Sequence, residues 1–66
     1  MLLPPYLARK PFLTLEEVCG VLNIGRMTFY RMRMRGKGPP TVICGLRTVR
    51  IPTRPFIEWL MAQEGF

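Results

Sequence analysis

Pro4, Pro5, Pro11, Pro39, Pro40, Pro52 and Pro55 punctuate a chain of only 66 residues, and they limit its fold more than any other feature. Each proline lacks a backbone N–H and fixes φ near −65°, so it starts, ends or kinks the element that contains it. The protein must therefore be built from short helices and strands, and none of its segments reads as a membrane-spanning helix. Met1-Leu2-Leu3-Pro4-Pro5 also lacks the leading charge and unbroken apolar run of a signal peptide, so a cytoplasmic location is expected. The length allows one domain at most and falls below the roughly 70–80 residues at which a single core is comfortably stable.

Charge narrows the partner. Ten Lys and Arg, mostly Arg, face four acidic residues, giving a net charge of +6 and a pI near 10.4. That balance suits a polyanion, and nucleic acid comes first. The chain has no His, Asp or Ser, so most hydrolytic constellations cannot be assembled. Glu16, Glu17, Glu58 and Glu64 could supply a carboxylate pair, but they read chiefly as helix-terminal or solvent-facing residues. Cys19 and Cys44 are too few for a zinc site without histidines, and both read as small core residues. No catalytic residue, cofactor or metal is expected, and the protein is read as a non-enzyme.

Residues 1–12 read as an extended, proline-rich arm bearing Leu2, Leu3, Tyr6, Leu7 and Phe12, and residues 13–66 as the domain proper. The pattern changes at Leu13: Thr14 followed three residues later by Glu17 is a capping box, and Leu13 is placed to act as a hydrophobic staple. Leu15, Val18, Cys19 and Leu22 continue at helical spacing, and Asn23 can end the helix because it tolerates the left-handed conformation. Asn23-Ile24-Gly25 then reads as the turn of a helix-turn-helix, with Ile24 filling the angle between the helices. A second helix from Arg26 to Arg35 would pack Thr28, Phe29 and Met32. It would present Arg26, Met27, Tyr30, Arg31 and Met34 on the other face.

Gly36 stops that helix, and Gly36-Lys37-Gly38-Pro39-Pro40 is a stiff, basic connector. Thr41–Cys44 and Arg47–Ile51 read as strands joined by a tight turn at Gly45-Leu46. Period two would turn Val42, Cys44, Val49 and Ile51 inward, leaving Arg47 near the tip and Arg50 facing out. After Pro52, Thr53 is placed to cap a last helix from Arg54 to Gln63 with a stripe of Phe56, Trp59 and Leu60. The expected fold class is mainly α with a small β-hairpin: a winged helix-turn-helix with a two-stranded wing and a C-terminal helix.

From Phe12 to Gln63 the chain resembles the phage excisionase family, recombination directionality factors related to MerR-like DNA-binding domains. The residues that carry the likeness are Leu13-Thr14-Leu15-Glu16-Glu17-Val18, Thr28-Phe29-Tyr30-Arg31, Arg35-Gly36-Lys37-Gly38-Pro39-Pro40, Gly45, Val49-Arg50-Ile51-Pro52 and Glu58-Trp59-Leu60. Gly25 stands where the family often has Ser, and Met32 where a Trp is common. The resemblance implies that the helix beginning near Arg26 enters a major groove while the wing reaches a neighbouring minor groove of double-stranded DNA.

The expected DNA-binding residues are Arg26, Met27, Tyr30, Arg31, Arg35, Lys37 and Arg47. Arg26 and Arg31 suit either guanine edges, which a guanidinium can grip with two bonds, or phosphates. The resemblance favours a DNA contact for Tyr30, Arg35 and Lys37 read as phosphate neighbours, and Arg47 suits a narrow minor groove. Thr28 stays ambiguous, Arg33 can serve the helix dipole, and Arg50 can bridge wing and body. Ile57 and Met61 lie off the stripe of the last helix. Either the arm covers them, or neighbours associate head to tail along DNA. Integrase is the expected protein partner if the output is excision in a bacterial host cell. A small transcriptional regulator shares every DNA-binding feature, and an RNA-binding or protein-binding module is the weaker rival.

Overall fold

A computed structural model describes residues 3–45 and 48–63. In chain order the elements are α1 (Pro5–Ala8), β1 (Phe12–Thr14), α2 (Leu15–Leu22), α3 (Arg26–Met34), β2 (Val42–Cys44), β3 (Thr48–Pro52) and α4 (Thr53–Met61). The strands form one antiparallel sheet in the order β1-β3-β2. The result is a winged helix-turn-helix: α2 and α3 with the turn between them, the β2–β3 hairpin as the wing, and α4 behind.

The segment before Leu13 departs from the extended arm expected of it. Pro4 and Pro5 initiate a single helical turn, the position where a missing N–H costs nothing, with the Ala8 N–H donating to the Pro4 carbonyl at 3.0 Å. That turn buries Leu7, and Leu3 is buried with it. Phe12, Leu13 and Thr14 then pair with Pro52, Ile51 and Arg50, adding a third strand to the expected two-stranded wing. The Thr53 N–H donates to the Pro11 carbonyl and the Thr53 hydroxyl to the Lys10 carbonyl, so the segment is tied to the start of α4. Thr53 therefore does not cap α4: Pro52 holds the N-cap position without a side-chain bond, and Thr53 is buried as the first helical residue. A further tie joins Lys10 to Glu17 at 2.6 Å.

The core gathers Leu3, Leu7, Leu13, Leu15, Val18, Cys19, Phe29, Ile51, Phe56 and Leu60. Leu13 and Ile51 are register partners and both fully buried, so β1 and β3 are fastened through the centre of the protein. Trp59 is only partly buried and stacks on Phe56, centroids 5.9 Å apart. Cys19 is buried as expected, whereas Cys44 is exposed.

The wing shows why. Cys44 pairs with Thr48, Ile43 with Val49 and Val42 with Arg50, a register one residue away from that of the expected two-residue turn. One residue of register moves every side chain of a strand to the opposite face. Ile43, not Val42 or Cys44, lies across from Val49, and all three residues of β2 are exposed. Only β3 contributes to the body, through buried Ile51 and half-buried Val49.

Candidate nucleic-acid interface

Two helix ends fix the geometry of the helix-turn-helix. At the start of α2, Thr14 accepts from the Glu17 N–H at 3.1 Å and the Glu17 carboxylate accepts from the Thr14 N–H at 2.9 Å, the expected reciprocal box. Lys10 and these bonds hold the Glu17 carboxyl below its ordinary value of 4.5. At the end of α2, Asn23 adopts φ 56° and ψ 47°. The Ile24 N–H reaches the Cys19 carbonyl at 3.0 Å, and the Asn23 N–H the Gly20 carbonyl at 3.2 Å. This pair of bonds reverses the chain at once and sets Ile24 against the core between the helices.

Within α3 only Phe29 is buried, while Met32 and Arg33 are half-buried. Arg26, Met27, Tyr30, Arg31 and Met34 are all exposed, as their spacing predicts, and so is Thr28, which the pattern had assigned to the packing face. Tyr30 rests edge-on against Phe29, at 6.1 Å and 81°, so the core anchors its ring while part of its surface stays in solvent. Gly25 has an extended conformation and gives α3 no side-chain cap, as its departure from serine implies. Gly36, at φ +70°, ends the helix, with its N–H on the Arg33 carbonyl and that of Lys37 on the Met32 carbonyl, both at 3.0 Å. Exposed Arg35 and Lys37 therefore flank the C-terminal end of α3.

Between α3 and the wing lies a cleft of about 310 Å³ lined by Leu15, Glu16, Arg26, Tyr30, Thr48, Val49 and Arg50. Arg26 forms an ion pair with Glu16 across the helix-turn-helix, and Arg50 donates to the Val49 carbonyl at 2.9 Å. Arg50, expected to face out, is half-buried and joins the wing to this cleft. Of the seven expected DNA-binding residues, the structure thus places Arg26, Met27, Tyr30 and Arg31 on one exposed helix, and Arg35 and Lys37 just beyond it. Arg47 lies outside the described residues. Sequence spacing missed the meeting of Glu16 with Arg26, which only the angle between α2 and α3 brings about, whereas Arg50 takes the bridging place between wing and body that the sequence allowed it. Arg9, Lys10 and Arg54 form a separate basic group with Glu58 near the start of α4. No cluster of potential metal ligands occurs among the described residues, and no described helix is long and apolar enough to cross a membrane.

A basic, largely exposed helix, set by a tight turn and flanked by a β-hairpin, defines the class as a winged helix-turn-helix. A family model for the helix-turn-helix domain matches residues 12–64, and the chain belongs to that family of DNA-binding modules. Comparison with curated proteins and with solved structures gave no match.

Proposed function

We propose that this protein is a sequence-specific architectural factor of the excisionase type, acting by shaping DNA and not by catalysis. The observation that carries the reading is the exposed face of α3, where Arg26, Met27, Tyr30 and Arg31 stand beside a projecting hairpin. In this reading α3 enters the major groove, Arg26 and Arg31 meet base edges or the phosphates beside them, and Tyr30, Arg35 and Lys37 follow the backbone. The wing, carrying Arg47, enters the next minor groove. One such domain covers few base pairs, so specificity comes from several copies on adjacent sites, whose wings bend the duplex and offset its elastic cost with added contacts. Buried Leu3 and Leu7 and half-buried Ile57 belong to the core, so contact between copies falls to exposed residues such as Tyr6 and Met61. The bent attachment-site arm would then direct integrase to excision.

Purified protein added to integrase with excisive and integrative substrates tests this reading. It should raise excision and depress integration. If both reactions are unchanged while a nearby promoter is repressed or activated, the protein is a transcriptional regulator instead. Binding to duplex DNA should weaken with salt at a log–log slope of roughly −4 to −5, as expected for about four to six phosphate contacts. A flat response sinks the DNA reading altogether.

A further inference from the structure

The most forward ridge of α3 is apolar. At 3.6 residues per turn, Met27 and Met34 fall within about 20° of one another, and both point about 150° away from Phe29, the buried residue of the helix. Met27 is 67% exposed and Met34 87%, and neither packs against the core. Tyr30 flanks the ridge on one side and Arg31 on the other, while Arg26, Arg35 and Lys37 stand at or beyond the ends of the helix. A helix that met only phosphates would gain nothing from two long hydrophobic side chains at its outermost positions, because counterion release needs cations there. The ridge calls for an apolar group set within a polyanion.

We propose that Met27 and Met34 are specificity-determining residues that read thymine, their side chains closing on its C5-methyl group in the major groove. The inference rests on the DNA-binding reading of α3 and names a base that this face selects. Of the four bases thymine alone presents a methyl group there, and an unbranched thioether chain adapts to it readily. The first residues of the second helix of a helix-turn-helix stand closest to base edges, which sets Met27 deepest. Met34 lies two turns further on, about 10 Å along the axis, which matches about three base-pair steps. Arg31, beside the ridge, stays free for a guanine or a phosphate. The cations thus attract any duplex, whereas the uncharged methionines add affinity only where a methyl group meets them.

The test uses the full chain in titrations against a duplex selected by the wild type from a random pool, and against the unselected pool. Each thymine of the selected site is replaced in turn by deoxyuridine, which keeps the base pair and lacks the methyl group. At two positions about three base pairs apart the replacement should weaken binding about fourfold, the worth of one methyl-sized group buried from water. Met27→Ala should weaken binding to the selected duplex at least as much and to the unselected pool by less than about twofold, with an unchanged salt slope. It should also abolish the uracil response at one of the two positions, and Met34→Ala at the other. Met27→Leu, which keeps an apolar chain of similar volume, should retain most of the discrimination, and Arg31→Ala should retain both uracil responses. Both methionines are exposed, so the alanine variants should melt within a few degrees of the wild type. The proposal is overturned if the uracil responses persist in the alanine variants, or if those variants lose selected and unselected DNA equally. Alanine variants that bind every duplex normally but lose self-association in sedimentation overturn it too, making the ridge a contact between copies. Salt-dependent wild-type binding without any uracil response removes the thymine reading alone, whereas salt-insensitive wild-type binding removes the DNA reading beneath it.

Discussion

Replacing Leu7 by alanine should unfold much more than the short turn that carries it. Leu7 is 3% exposed and shares a core with Leu13, Phe56 and Leu60, although the chain around it has the composition of a tail. Truncating a buried leucine costs about 2–5 kcal/mol, according to how far the site can collapse around the gap. A four-residue helix at the edge of the core can follow the gap inward, so the lower end applies, about 2–3 kcal/mol. A chain of this length has a total stability of only about 3–10 kcal/mol. With a shift of about 4–8 °C per kcal/mol in so small a domain, the midpoint should fall by about 10–20 °C. Tyr6→Ala, one residue away on the same turn but 68% exposed, should change stability by no more than about 0.5 kcal/mol. Thermal and urea unfolding followed by circular dichroism measure both variants, and below its midpoint Leu7→Ala should still bind DNA. The reasoning is refuted if Leu7→Ala melts with the wild type, or if Tyr6→Ala is equally harmful.

Arg31→Ala should weaken binding to the selected duplex by about 1–3 kcal/mol more than to random DNA if it reads a base; equal losses in titrations of the two make it a phosphate contact. Glu17 titrates lower in the folded protein than its ordinary 4.5, so its stabilisation is complete above that pH and fades as pH falls through the lowered value. Acid titration of Glu17→Gln should show less stability loss below pH 4.5 than the wild type, and parallel curves would refute the linkage. Gly25→Ser fits an extended N-cap with open space around a new Cβ, and it should stabilise α3 by a few tenths of a kcal/mol, about 1–3 °C; a lower midpoint would count against the open cap. A thiol reagent should label exposed Cys44 in the native protein and reach Cys19 only on unfolding, its thiol also being pushed up by burial; equal labelling rates would contradict the register of the wing.

Features governed by neighbours in sequence were legible before the structure. The Thr14–Glu17 box, the left-handed Asn23, the stop at Gly36 and the buried Phe29 of a basic helix all follow from bonds or contacts spanning a few residues. The exposed residues of α3 were legible too, since a helical period leaves little choice about which of them share a face. The pairing of the wing was less so. A glycine between two β-like runs announces a hairpin, but registers one residue apart put opposite faces of β2 inward.

By itself, then, the sequence determined where the helices of the helix-turn-helix begin and end, and which cations α3 presents, because capping, helical period and glycine geometry act locally. Tertiary structure decided what residues distant in sequence do for one another. Phe12–Thr14 is a strand because β3 offers it an edge and Ile51 a buried partner for Leu13. Thr53 abandons the capping role its position suggests because the carbonyl of Lys10 lies within reach. Glu16 meets Arg26 because the angle between two helices closes a separation of ten positions in sequence, and charge on a surface has no period by which such a meeting could be read in advance.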